Sequence, residues 1–333
     1  MVSARRILFN VGTLLPGATL LPPVRRVLQR RSFGTGGTES ARYCFSVWLR
    51  HLVLAEQSGL NTHPRIVAEL GPGDSLGVGI AALLCGAHRY NAFDVVPHAS
   101  LQRNLSILEE LIALFRQRAD IPGADEFPLL HPPLQSYRFP HQILTAPRLD
   151  AALRADRLES LRASLTGRNG ADSLIRYCAP WFSAEVVEER SVDLIFSQAV
   201  LEHVDQLQDT YRAMRLWLAP DGYLSHQVDL QSHGTATEWN GHWTFSDFAW
   251  TLIRGKDTWL INREPKSTHC RLLQNEGFRI VCEHTLRRGN NLMRRQLAKR
   301  FRAIPEDDLT AAGLFFQAAP GLARQQTDRT RLS

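Results

Sequence analysis

The sequence predicts an α/β fold built on a doubly wound, mostly parallel sheet with helices on both faces. Residues 66–84 pass from an apolar run through a turn with Gly71 and Gly73 into a second apolar run, which is the order strand, tight loop, helix. Residues 191–228 give an apolar run, an amphipathic stretch and another apolar run. Strands that alternate with helices form parallel sheets, and these bind ligands at the carboxyl ends of the strands.

The N-terminal region, 1–62, is predicted to be an extension that carries cap helices. Its stretch 7–24 is apolar, but prolines interrupt it, so it does not predict a membrane-spanning helix. The arginine pair before this stretch leaves a signal peptide open as an alternative. Apolar residues at helical spacing then predict a helix from Tyr43 to Ala55.

The glycine turn and a later carboxylate together predict a site for a nucleoside-containing cofactor. Gly71 and Gly73 leave bare backbone where the next helix begins. Asp94 ends the following apolar run, at about 20 residues, the spacing at which a carboxylate meets a ribose in doubly wound folds. The dinucleotide fingerprint requires a glycine at the position of Leu76, so a nicotinamide-dependent oxidoreductase is disfavoured.

A main domain at 63–320 is predicted to contain an insertion at about 120–170. Apolar residues over 101–115 mark a crossover helix, and regularly spaced leucines over 149–165 mark a second helical stretch. The prolines between Pro122 and Pro147 exclude regular helix or central strand there. Two interpretations stay open: the insertion shapes the substrate pocket, or it is an ornament far from the site.

The later elements follow in order along the chain. A strand over 194–196 leads to a helix that begins at Leu207, a turn at 219–222 and a strand at 223–228. Residues 321–333 are predicted to be a disordered tail.

Two motifs in this order carry a family resemblance. Glu69-x-Gly71-x-Gly73 and the segment 191–204 resemble class I S-adenosylmethionine-dependent methyltransferases, in their type 11-like branch. The resemblance covers roughly residues 64–108 and 172–320, and it departs at Ser75, where many members carry a third glycine. It implies a Rossmann-like, seven-stranded sheet. Residues 271–281 resemble the helix, Gly-Phe turn and sixth strand of the family, and residues 314–318 would be the last, antiparallel strand. The resemblance also implies that S-adenosylmethionine is the cofactor.

The resemblance further implies which residues contact the cofactor. The strand-end acid and the glycine loop would lie at its methionine end, Asp94 at the ribose hydroxyls, and the end of the third strand at the adenine. Trp181 follows that strand and either stacks on the adenine or packs in the core. The full predicted set is Glu69, Gly71, Pro72, Gly73, Asp94, Cys178, Ala179, Ser197, Gln198 and Ala199.

Methyl transfer to a hydroxyl requires a base, and three residues near the end of the fifth strand are candidates: His226, Asp229 and His233. His203 belongs to a segment shared across many substrate types, so we assign it a structural role. The three candidates match no metal-ligand spacing, so no resident metal is predicted. The aromatic segment 239–243 either lines the acceptor pocket or packs.

Composition adds little to this hypothesis. The net charge of +6 comes with arginine clusters at 25–31 and 287–295, which lack interleaved aromatics, so a solvated surface is favoured over nucleic-acid binding. Five scattered cysteines are typical of a reducing compartment, hence a cytoplasmic location. The predicted function is methylation of a small-molecule or glycan acceptor at oxygen. A non-enzymatic S-adenosylmethionine-binding protein of the same fold is the alternative.

Overall fold

The computed structural model describes residues 4–18, 21, 23–24, 37–170, 173–181, 183–257 and 259–321. The predicted tail beyond residue 321 and the first arginine cluster lie outside these residues. The helices in the described part are α1 (Ala4–Thr13), α2 (Ala41–Gln57), α3 (Gly77–Leu84), α4 (Leu101–Gln117), α5 (Ala146–Ala152), α6 (Ala155–Leu165), α7 (Leu207–Trp217), α8 (Asp247–Arg254) and α9 (Lys266–Asn275).

One sheet contains all strands of the described residues: β1 (Ile66–Leu70), β2 (Arg89–Phe93), β3 (Ile175–Cys178), β4 (Val192–Gln198), β5 (Leu218–Asp229), β6 (Phe278–Arg287) and β7 (Ala311–Pro320). Their order is β3-β2-β1-β4-β5-β7-β6. Strand β7 runs antiparallel to both of its neighbours, β5 and β6, and all other neighbouring pairs are parallel. The predicted fold class is therefore confirmed. The strand order reverses between β1 and β4, so the loops after these two strands border a crevice.

Helices cover both faces of the sheet, which explains why β1 and β4 read as continuous apolar runs. Helices α2, α3 and α4 bury one face, with Trp48 fully enclosed. Helices α7 and α9 bury the other, with Trp217 fully enclosed. The helices predicted at 43–55 and 101–115 are confirmed as α2 and α4. The single helical stretch predicted at 149–165 is two helices, α5 and α6.

The prediction of a turn at 219–222 is wrong. Helix α7 ends at Trp217 and β5 begins at the next residue, so the Pro-Gly segment belongs to the strand. The β4–β5 register shifts between Val192 and Leu194, as a bulge does. A Cβ at Gly222 would lie 2.8 Å from the Val192 carbonyl oxygen. Close backbone packing at a bulge thus accommodates residues that ordinarily form a turn.

The N-terminal helix α1 packs against α8. Asn10 Nδ2 donates to the Ile253 carbonyl at 2.6 Å, and Lys256 N donates to Thr13 Oγ1 at 2.9 Å. These contacts tie the described part of the extension to the C-terminal half of the domain. Among the described helices, none has the length and apolar character needed to cross a bilayer.

Candidate active site

A large cavity opens at the carboxyl ends of β1, β2, β4 and β5, where the topology predicts a ligand. Its volume is about 1150 Å³. Pockets for single small ligands span about 300–1000 Å³, so this one has room for a cofactor and a second molecule. Its walls come from the glycine loop, the ends of β2, β4 and β5, and the insertion.

The glycine loop presents bare backbone to the cavity. Gly71 and Gly73 have φ angles of +62° and +72°, which L side chains rarely adopt. A Cβ on Gly71 would also come within 2.6 Å of the Val200 side chain, which belongs to the loop after β4. Gly71 N donates to the Phe93 carbonyl at 2.8 Å. Both loops therefore approach closely only because this position lacks a side chain.

Ser75 replaces the third glycine of the resemblance without blocking the loop. Its hydroxyl is buried and donates to the Thr38 carbonyl, while Thr38 Oγ1 accepts from Asp74 N at 3.0 Å. Thr38 itself lines the cavity. The departure at Ser75 thus anchors the segment before α2 against the glycine loop.

Glu69, at the end of β1, lines the cavity and is almost fully buried. Burial raises its pKa to about 8, although a hydrogen bond from the Tyr90 hydroxyl acts in the opposite direction. The Tyr90 ring occupies space that only a glycine at position 79 leaves open. The protein therefore holds, beside the loop, a carboxyl group whose pKa is raised to about 8.

Asp94 lies across the crevice at the end of β2 and is 8% exposed. Its Oδ1 accepts from Val95 N at 2.7 Å. Burial raises its pKa, while nearby His98 and the backbone amides lower it. These amides fix the orientation of the Asp94 side chain at the cavity wall.

The end of β3 meets the cavity through Trp181 rather than through the two predicted residues. Cys178 and Ala179 are absent from the described lining, whereas Trp181 belongs to it. The Trp181 ring lies 5.8 Å from Phe93 and 5.4 Å from Trp217, centroid to centroid. Trp181 is therefore both a wall residue and a packing residue.

The end of β4 contributes Gln198 and Ala199 to the cavity. Ala199 has a φ of +54°, a strained value for a residue with a side chain, and its N donates to the Gln227 carbonyl at 3.0 Å. Ser197, also predicted to touch the cofactor, is fully buried within the sheet. It hydrogen-bonds with His226 Nδ1 at 2.7 Å and does not reach the cavity.

His226 does not fit the prediction that it is the catalytic base. Its side chain is fully buried inside the sheet, with its ring 5.3 Å from that of Phe316, and it is not part of the cavity lining. Burial, followed by the nearby His51 and His269, lowers its pKa well below the usual value. A neutral imidazole without access to the cavity has no route to a substrate proton.

Asp229 and His233 do line the cavity, after β5. His233 Nε2 and Asp229 Oδ2 are 3.1 Å apart, and Gln231 N donates to Asp229 Oδ1 at 3.0 Å. Burial alone would raise the Asp229 pKa, but the His233 and Gln231 hydrogen bonds outweigh it and hold the pKa below its usual range. His233 has a φ of +47°, so its backbone, like that of Ala199, is in a strained conformation.

His203 also lines the cavity, although a structural role was expected. Its ring lies 5.2 Å from that of His233 and stacks on Trp259 at 5.4 Å. Burial, with smaller contributions from His233 and Arg254, lowers its pKa to about 3. His203 is therefore a neutral imidazole at physiological pH.

The insertion forms part of the cavity wall through residues 126–131, so the structure supports the first of the two interpretations. Arg42 holds Glu126 with two hydrogen bonds of 2.6 and 2.7 Å, and the Tyr43 and Phe127 rings meet edge to face at 5.4 Å. Leu129 at the rim is 82% exposed. The aromatic segment 239–243 instead packs in the interior, away from the cavity lining.

Comparison with known proteins decides the family. Residues 77–283 match the family model described as a methyltransferase domain, which is more than half of the chain. The chain belongs to the methyltransferase domain family. The protein is therefore an S-adenosylmethionine-dependent methyltransferase, and S-adenosylmethionine is its cofactor. The family assignment supports neither a nicotinamide-dependent oxidoreductase nor a non-enzymatic binding protein.

Solved structures similar to the methyltransferase include one from Bacillus halodurans C-125 that is assigned as a methyltransferase. It shares 10% identity over 81% of this chain and 98% of its own, with a TM-score of 0.40. An S-adenosylmethionine-dependent methyltransferase from Mesorhizobium loti shares 15% identity over 79% and 95% of the two chains, with a TM-score of 0.38. Haemonchus contortus phosphoethanolamine N-methyltransferase 2 shares 13% identity over 82% of this chain and 53% of its own, at 0.40. No curated protein sequence matches the methyltransferase significantly.

The sequence patterns did not reveal two parts of the cavity wall, Trp259 and residues 126–131. Trp259 follows α8 in a segment without any motif, and residues 126–131 lie in an irregular excursion. The proline-rich composition of the insertion was the only available signal for the latter.

Proposed function

We propose that the methyltransferase methylates a hydroxyl oxygen of a small molecule or glycan. The observation that carries this proposal is the Asp229–His233 pair on the cavity wall, 3.1 Å apart. A hydroxyl nucleophile must lose its proton, and a histidine held by a carboxylate is a common proton acceptor. His226 has no place in this proposal because it does not reach the cavity.

The cofactor would lie across the crevice from the glycine loop to Asp94. Gly71, Pro72 and Gly73 leave space at the backbone for its methionine end, where Glu69 faces the positive charges. Asp94 would accept hydrogen bonds from the ribose hydroxyls. Trp181 would lie against the adenine, with Cys178 and Ala179 behind it. Gln198 and Ala199 would border the reacting end.

The bound cofactor supplies a methyl group on a sulfonium, so an oxygen–carbon bond forms as the carbon–sulfur bond breaks and S-adenosylhomocysteine leaves. The chain's own contribution is alignment, exclusion of water and removal of the proton. Asp229 orients the His233 ring, and the pair takes the proton of the acceptor hydroxyl. Trp259 and the insertion limit the access of water from the rim.

The acceptor side of the cavity combines this polar pair with apolar walls. Phe127, Leu129, Leu130 and Trp259 line it, together with Leu286 from β6. Apolar walls with a few converging polar groups are typical of small-molecule sites. A sugar ring also fits such a surface because its faces are apolar and its hydroxyls are polar.

A cytoplasmic location of the methyltransferase stays a prediction.

The experiment is a screen of hydroxyl-bearing acceptors with methyl-labelled S-adenosylmethionine, followed by identification of the bond formed. We expect a methyl ether as the product. We also expect His233→Ala to lower kcat about 10²–10⁴-fold while the cofactor Kd is unchanged. His88→Ala, at the opposite end of the sheet, is the matched control and should be fully active. A product labelled at nitrogen or carbon would contradict the proposal.

A further inference from the structure

We infer that Glu202, His203 and His233 bind one divalent metal ion at the acceptor side of the cavity. One ligand atom from each residue lies within 4.8 Å of the other two. The inference deepens the proposed function and rests on it, because the ion would bind the acceptor oxygen. No motif in the sequence indicated this site.

The topology brings the three side chains together. Strands β4 and β5 are parallel neighbours, so the loops that follow them leave from the same edge of the sheet. Glu202 and His203 lie in a 3₁₀ turn after β4, and His233 lies in the loop after β5. Asn262 holds the 3₁₀ turn through hydrogen bonds from its Nδ2 to the Leu201 and Val204 carbonyls, at 2.8 and 2.7 Å. The ligand set is therefore built on fixed backbone.

Two of the three side chains have buried polar atoms without a hydrogen-bond partner among the described residues. Glu202 is 2% exposed, and its Oε2 has no hydrogen-bond partner within the described part of the chain. His203 Nδ1 is also buried and also has no hydrogen-bond partner within the described part of the chain. Each such atom bears the desolvation cost of a polar group. Several other described side chains have such atoms, but among them only Glu202 and His203 belong to a cluster of possible metal ligands in the described residues. A metal ion between them would satisfy both.

The outer contacts are also those of a metal site. Glu202 Oε1 accepts a hydrogen bond from Asp229 N at 3.2 Å, which fixes the carboxylate and leaves Oε2 to bind the ion. Asp229 in turn holds His233, and a carboxylate next to a histidine ligand is the usual second partner in such sites. The ligand atoms of a tetrahedral site with bonds of about 2.0–2.2 Å lie roughly 3.3–3.6 Å apart. The three ligand atoms lie within 4.8 Å of one another, so the side chains would close by at most about 1.5 Å around the ion.

Two imidazoles and one carboxylate select transition-metal ions such as Zn²⁺, Mn²⁺, Fe²⁺ or Co²⁺ over Ca²⁺ or Mg²⁺. Three protein ligands leave positions that face the cavity, since His203 and His233 both line it. An acceptor hydroxyl bound there would have a lower pKa. His233 would then be a ligand rather than the base, and the hydroxyl proton would pass to water at the open side of the cavity as the oxygen receives the methyl group.

The test is calorimetry of the full-length methyltransferase with Zn²⁺ and, separately, Mn²⁺, after removal of bound metal with a chelator. We expect one ion per chain for at least one of the two. We also expect Glu202→Gln, His203→Ala and His233→Ala each to weaken binding at least tenfold. His88→Ala is the matched control, and unchanged S-adenosylmethionine affinity shows that each variant is folded. No binding of either ion, or binding that none of the three variants weakens, would overturn the inference.

Activity separates this inference from the proposed function. If chelated protein methylates hydroxyls at full rate, the metal site is overturned and oxygen methylation stands. If the ion binds through these residues but the product is labelled at nitrogen, the site stands and the proposed acceptor class falls. A rate that chelation abolishes and the ion restores supports both.

Discussion

The Tyr90 hydroxyl donates a hydrogen bond to Glu69 Oε2 across the space left by Gly79. This contact joins β2 to the end of β1 at the rim of the cavity, and both groups are buried. A buried carboxyl group that loses its donor bears the cost of desolvation alone.

Tyr90→Phe should therefore destabilise the methyltransferase by about 1–3 kcal/mol, measured by urea unfolding. Tyr223→Phe is the matched control, because the Tyr223 hydroxyl is buried without a partner in the described residues. Its removal should be neutral or stabilising. Equal losses in the two variants would show that the Tyr90 hydroxyl contributes nothing through Glu69.

The raised pKa of Glu69, about 8, predicts a pH dependence of cofactor binding. Below this pKa the carboxyl is neutral, and the positive charges of S-adenosylmethionine favour the ionised form. Affinity should therefore rise with pH, by up to about tenfold per unit, and level off above the pKa. Calorimetry at pH values on both sides of this pKa should show the rise in cofactor affinity in the wild type but not in Glu69→Gln. Parallel curves for the two proteins would contradict the placement of the cofactor beside Glu69.

Gly71→Ala tests whether bare backbone is required at the loop. The variant combines a positive φ with a Cβ that approaches Val200, so we expect lower stability and a cofactor Kd raised at least tenfold. Gly59→Ala has a similar φ of +67° but nothing within 4 Å of the new Cβ, so it measures backbone strain alone. Gly71→Ala should be the more damaging, and adding Val200→Ala should restore part of the loss. Equal effects at Gly71 and Gly59 would show that contact between the new Cβ and Val200 adds nothing to the loss.

The Arg42–Glu126 ion pair holds the insertion against the start of α2. Removing it with Arg42→Ala should accelerate amide hydrogen exchange in residues 126–131, because few other contacts of this segment are polar. Arg154→Ala removes an ion pair of similar geometry with Asp156, away from the cavity, and should leave that exchange unchanged. Unaltered exchange in Arg42→Ala would mean that apolar packing alone holds the wall.

Local patterns predicted the parts of the structure that depend on short stretches of chain. The strand, glycine turn and helix at 66–84 form as expected because their periodicity and glycines specify them locally, and Asp94 lies at the cavity for the same reason. His226 could not be placed in this way. Its burial depends on the packing of β7, which is distant in the sequence and contributes Phe316 against its ring.

The rest of the candidate site depends on contacts between distant segments. Trp259 meets His203 only because two loops converge, and the orphaned oxygen of Glu202 is visible only once its surroundings are known. The segment 219–222 was mistaken for a turn because a bulge uses the same residue types. Each of these features depends on tertiary packing rather than on a local motif.

The most direct test of the account is the affinity of Asp94→Ala for S-adenosylmethionine, measured by calorimetry beside the wild type. Asp94 is fixed by backbone amides at the rim of the cavity, and its charge-assisted bonds to the ribose should be lost in the variant. Asp150→Ala, at an exposed position of α5, is the control for folding and charge. We predict a Kd raised at least tenfold for Asp94→Ala and unchanged for Asp150→Ala. An unchanged Kd for Asp94→Ala would contradict the proposed position of the cofactor.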